Sequence, residues 1–135
     1  MRILALAAAI AIAVPATSQA QSVIEAYYAE ISQRDMFNSS GTRLTDLGAI
    51  LQQDRANVHR FGKRDPSDEI DPFFGDRSLR AQIPQLYARG DTDPLIARII
   101  TGGSPLQVLV LLCGGRAQPE YLVVDFADGD GNRGC

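Results

Sequence analysis

Between Pro105 and the Gly114-Gly115 pair the chain runs from Leu106 to Cys113 with Gln107 as its only polar residue. A run this short cannot cross a bilayer, which takes about 20 apolar residues, and its proline and glycine borders mark it as a buried β-strand. Tyr121 to Phe126 is a second stretch rich in β-formers. The turn formers from Gly114 to Pro119 join the two into an antiparallel hairpin over 105–127. Val108, Val110 and Leu112 face one way and Leu109 and Leu111 the other, so neither face of the first strand is polar. A two-stranded ribbon with two apolar faces is not stable in water. Helices must cover one face, and a further helix or a second copy of the chain the other.

The region before the hairpin, 22–101, reads as helical. Val23, Ile24, Tyr27, Tyr28 and Ile31 recur at three- and four-residue steps, which predicts a helix from Val23 to about Met36 with Ser22 as its cap. Asn38-Ser39-Ser40-Gly41 breaks it. A second helix is expected from about Thr45 to Arg60, capped by Thr45, buried through Leu47, Ile50, Leu51, Val58 and Phe61 and ended by Gly62. The stretch from Lys63 to Gly75 is loop-like, with one turn at Asp71-Pro72. A third helical region, Asp76 to Arg89, should divide or kink at Pro84, because proline removes a backbone donor and clashes with the preceding turn. Asp93-Pro94 opens a fourth helix that Gly102-Gly103 stops.

The start of the chain has a different grammar. Met1-Arg2, an apolar run from Ile3 to Val14 and the small residues ending Ser18-Gln19-Ala20 have the layout of a Sec-type signal peptide, 1–20, cleaved after Ala20. The mature chain is then one small globular domain over 21–135, with a tail at 128–135, placed in the periplasm or outside the cell and with no membrane span left. The whole sequence has 13 basic and 16 acidic residues, a net charge of −3, and losing Arg2 makes it one unit more negative. That balance argues against nucleic acid as a partner, since binding it needs a dense basic patch. In an oxidising compartment Cys113 and Cys135 are expected to form a disulfide that staples the C-terminus. A redox pair is disfavoured: the close Cys-x-x-Cys spacing is missing.

The best candidate for chemistry lies on the second helix. At about 100° per residue Asp54 falls within the apolar stripe of Ile50, Leu51 and Val58, so it needs a partner or a raised pKa. Arg55 flanks it and His59, the chain's only histidine, lies one turn on. Asp54 and His59 are therefore the weak catalytic candidates, set against a structural reading in which Asp54 ties the helix to a loop or an arginine. Arg55, His59 and Arg60, with the Phe73-Phe74 loop, form a candidate binding surface.

The acidic residues Asp65, Asp68, Glu69, Asp71 and Asp76 lack the order of a calcium loop and read as a solvated charge run. Asp128, Asp130 and Asn132 come closer to that order, but Arg133 stands where such loops want glycine, which leaves them weak metal candidates. Nucleophile and phosphate-loop signatures are absent, and no cofactor is implied.

The sequence thus predicts an α+β domain of three to four short helices packed on a C-terminal antiparallel β-hairpin. Its expected role is a small secreted, bacterial, non-catalytic binding or accessory protein, meeting an envelope protein, a small ligand or a second copy through the hairpin. An envelope hydrolase using Asp54, His59 or a loop carboxylate is the rival reading, and a calcium-stabilised module a third.

Overall fold

The computed structural model of the protein describes residues 20–129 and 133–135. Residues 1–19, with the body of the expected leader, and the candidate calcium ligands Asp130 and Asn132 lie outside them. Among the described residues no helix is long and apolar enough to cross a membrane.

The architecture is α+β, with four helices on a four-stranded mixed sheet. In chain order the elements are β1 (Ser22–Ile31), α1 (Leu47–His59), α2 (Arg77–Arg80), α3 (Ile83–Ala88), β2 (Asp91–Thr92), α4 (Pro94–Thr101), β3 (Leu106–Gly115) and β4 (Gln118–Phe126). The strand order is β1-β3-β4-β2. β3 pairs antiparallel with both β1 and β4, whereas β2 runs parallel to β4.

This corrects the expected sheet. The β3–β4 hairpin is present, but it is the centre of the sheet rather than the whole of it, and both of its outer edges are paired. The expected helix over 23–36 is instead β1. Its apolar residues satisfy both periodicities, and a register shift between Val23 and Glu25 obscures the alternation. Past that bulge the strand has a clean period of two: Tyr27, Ala29 and Ile31 are buried, while Tyr28 is exposed. Its partner strand lies far along the chain, so no local pattern announces the pairing. β2, only two residues long, carries no periodicity at all.

Three of the four helices begin at a capping aspartate. Asp46 accepts from Ala49 N–H at 3.0 Å to start α1, taking the place expected for Thr45. Asp76 and Asp93 cap α2 and α4 in the same way. Pro84 divides the third helical region into α2 and α3 and sits in the first turn of α3, where its missing N–H costs nothing. Gly90 then lets the chain pass against β4, since a β-carbon there would collide with the Leu122 carbonyl.

The helices cover one face of the sheet. Tyr27, Ile31, Val108, Val110, Leu112, Leu122 and Val124 meet Ile50, Leu51, Ile83, Leu86, Ile96 and Ile100 in the main core. On the other face Leu111, Cys113 and Val123 form a smaller cluster with Leu109, Tyr121 and Cys135. Among the described residues Cys135 packs against that cluster. Cys113 and Cys135 are disulfide-bonded with Cα atoms 5.5 Å apart, and the Tyr121 hydroxyl donates to the Cys135 carbonyl at 3.1 Å. Leu109 and Tyr121 on this face are only partly buried.

A sealed ionic cluster as the candidate functional site

Arg55 is the largest of the fully buried side chains, at 0% exposure. It projects from α1 toward β1, where its guanidinium carbon lies 4.3 Å from the Tyr27 ring centroid. Its Nε donates to Asp54 Oδ2 at 2.7 Å. Nη1 donates to the Glu69 carbonyl at 2.8 Å and to Asp71 Oδ1 at 2.9 Å, and Nη2 faces Asp68 Oδ1 at 3.8 Å. One cation thus gathers three carboxylates and a backbone carbonyl, with Nε and Nη1 hydrogen-bonded and Nη2 left without a hydrogen bond among the described residues.

The acidic loop is therefore not the solvated charge run expected from the sequence. Asp68 and Asp71 are buried at 3% and 1% exposure, and the loop lies along the free edge of β1. Asp68 Oδ1 accepts from Glu30 N–H at 2.8 Å and Glu69 Oε2 from Tyr28 N–H at 2.9 Å. Glu69 N–H returns to the Tyr28 carbonyl at 2.9 Å, and Glu30 Oε2 accepts from Ser67 N–H. These bonds occupy backbone groups that an edge strand otherwise offers to another chain. A second polar tie, Asn57 Nδ2 to Asp35 Oδ1 at 2.8 Å, joins α1 to the turn after β1.

His59 continues the same face of α1. Its Nε2 lies 2.9 Å from Asp71 Oδ1, with the side chain 10% exposed. Asp71 also accepts from Phe74 N–H, which fixes the expected turn at Asp71-Pro72 and packs Phe74 edge-on against Tyr27. Helical spacing sets Asp54 within the apolar stripe of α1 and Arg55 and His59 along its flank. The structure brings them together with Asp68 and Asp71, and adds Tyr27, Asp35 and Asn57, which carried no signal while β1 read as a helix.

The electrostatics follow from the sealing. Burial pushes the Asp54 carboxyl up to about 8, against the opposing pull of Arg55. Among the described residues its Oδ1 has no hydrogen-bond partner, which adds to the cost of burying the charge. Burial also opposes ionisation of Asp71, but the hydrogen bonds from His59, Phe74 N–H and Arg55 outweigh it and hold that carboxyl below its ordinary value. For Arg55 burial works against the charge, yet Asp54 and its other neighbours prevail and hold the guanidinium protonated. Burial keeps the Tyr27 phenol protonated as well.

The candidate contact surface divides. Arg55 and Phe74 are sealed in the interior, Phe73 is half-buried, and Arg60 is exposed with its guanidinium 4.9 Å from the Phe61 ring centroid. Asp128, the one calcium candidate among the described residues, is exposed. Comparison with protein families, with characterised proteins and with solved structures finds no match to this chain.

Proposed function

We propose that the protein is a small exported, non-catalytic binding or accessory protein of a bacterial envelope. The observation that supports this reading best is the closure of the Asp54–Arg55–Asp71 cluster. Asp54 and Asp71 are at 0% and 1% exposure, and a catalytic acid or base must be within hydrogen-bond reach of its substrate. Arg55 and Asp71 join α1 to the 65–75 loop, and Asp54 is engaged by Arg55. The raised Asp54 carboxyl taken alone would suit an acid catalyst, but buried ion-pair networks shift pKa values equally well.

The layout of the first twenty residues supports export, and the Cys113–Cys135 disulfide is compatible with an oxidising compartment. The test is complementation of a deletion strain by Asp54→Asn and His59→Gln, with melting temperature followed in parallel. A binding protein keeps complementing wherever the melt is retained. A hydrolase that uses these groups stops complementing while still folded, and that result would overturn the reading.

A further inference from the structure

On the solvent side of α1 a groove of about 370 Å³ runs between α1, α2 and the 38–44 loop. Its polar lining is Arg60, Arg77, Arg80, Gln52, Gln53 and Asn38 with the neighbouring Ser39, and no carboxylate lines it. In a chain of net charge −3 this concentrates positive charge in a concave site, where walls of low dielectric strengthen the field. Arg60 and Arg77 are exposed, and Arg80 is buried at 8% exposure.

Arg80 is held in place from behind. Its Nη1 donates to the Phe74 and Gly75 carbonyls, both at 2.8 Å, and among the described residues Nε and Nη2 of the planar fork have no acceptor. Among the described residues none of the three arginines has an ion-pair partner. The Asp76 carboxylate at the start of α2 is engaged by Ser78 and Leu79 N–H, and these bonds together with the nearby Arg80 charge hold it below its ordinary value. Ala49 and Ala56 are short enough on the α1 wall for a ligand to lie against the helix.

We propose that this groove binds a small organic anion carrying a carboxylate or phosphate group. Arg60, Arg77 and Arg80 hold the anionic group, and Gln52, Gln53 and Asn38 hydrogen-bond to the polar remainder of the molecule. The volume suits a small molecule rather than a polymer, and three cations are too few to follow a nucleic-acid backbone. The inference rests on reading the protein as a binding protein and names the ligand class. It invokes none of the Asp54 cluster, so the two can fail separately.

The test is calorimetric titration of the folded protein with inorganic phosphate, a sugar phosphate and citrate, with the uncharged sugar as control. The Nε–H signals of the arginines are followed by NMR in the same titrations. Saturable binding of the phosphate or the carboxylate arm, with shifts at Arg77 and Arg80, is expected, and the arm that binds identifies the group recognised. Arg60→Gln and Arg77→Gln, both at exposed positions, should each weaken it about tenfold or more, whereas Arg98→Gln on α4 should leave it unchanged. Absence of saturable binding in both arms would overturn the proposal. So would binding that survives the Arg60→Gln/Arg77→Gln double variant, or that Arg98→Gln weakens equally.

Discussion

The Arg55 guanidinium lies 4.3 Å from the centroid of the Tyr27 ring, so a charge on α1 is packed directly onto the face of a residue in β1. This contact and the carboxylates around it join three parts of the chain that share no local pattern. A cation buried this way is favourable only while its partners are in place.

Removing that cation is therefore expected to be severe. Arg55→Ala leaves buried carboxylates and the Glu69 carbonyl without their donor and opens a void against Tyr27. A loss of about 3–5 kcal/mol is expected in urea denaturation. Arg60→Ala, at the exposed C-cap of α1, should change stability by less than about 0.5 kcal/mol.

Asp54 makes stability depend on pH. Its carboxyl is raised from 3.8 to about 8 in the folded chain. Between those values the native state holds a proton that the unfolded chain has released, so stability is fully present at low pH and falls as pH rises through this window. Asp71 acts in the opposite sense, its lowered carboxyl favouring the fold above the ordinary carboxylate pKa and losing that effect as pH falls. Urea midpoints taken from about pH 5 to about pH 8 should decline in the wild type by more than about 1 kcal/mol, and Asp54→Asn should remove most of the decline.

The acidic loop protects an edge. Asp68→Ala with Glu69→Ala removes the acceptors of the Glu30 and Tyr28 amides. Hydrogen exchange at those two amides should accelerate well before global unfolding, and the double variant should aggregate more readily than the wild type. Unchanged exchange would mean that the loop only lies beside the strand.

The disulfide closes 22 residues of sequence and pins the chain end over Leu111 and Val123. Cys135→Ser should cost about 3 kcal/mol on loop-entropy grounds. It should also raise binding of a hydrophobic dye, because the small outer cluster loses its cover.

The turn between β3 and β4 stores a little strain. Arg116 and Ala117 occupy the left-handed region at φ 51° and 59°, where a hairpin of this kind favours asparagine and glycine. Ala117→Gly should therefore raise stability by up to about 1 kcal/mol in a thermal melt, with binding unaffected.

How much of this was legible in the sequence depended on distance along the chain. Local chemistry read correctly: Asp93-Pro94 opens α4, Pro84 divides α2 from α3, and the apolar run over Leu106–Cys113 is β3. The Cys113–Cys135 pairing was legible too. Non-local chemistry did not read. Tyr27 and Tyr28 fit a helix until β3 pairs with them, and Asp68 and Asp71 look like surface acids until an edge strand and Arg55 meet them. Asp54 could be placed inside the apolar stripe, but its neighbours could not be named. Arg77 and Arg80 stand three apart just after a capping aspartate, a spacing that puts them on one helix face, and that signal was available.

If the acid–base cluster is shut and structural, the Arg55 Nε–H is sealed from solvent with it. In 15N NMR at neutral pH this proton should exchange with solvent only through global unfolding, with the same protection as the innermost amides of β3. Exchange at the rate of an exposed arginine in the folded protein would contradict the account, because solvent, and with it a substrate, could then reach Asp54 and Asp71.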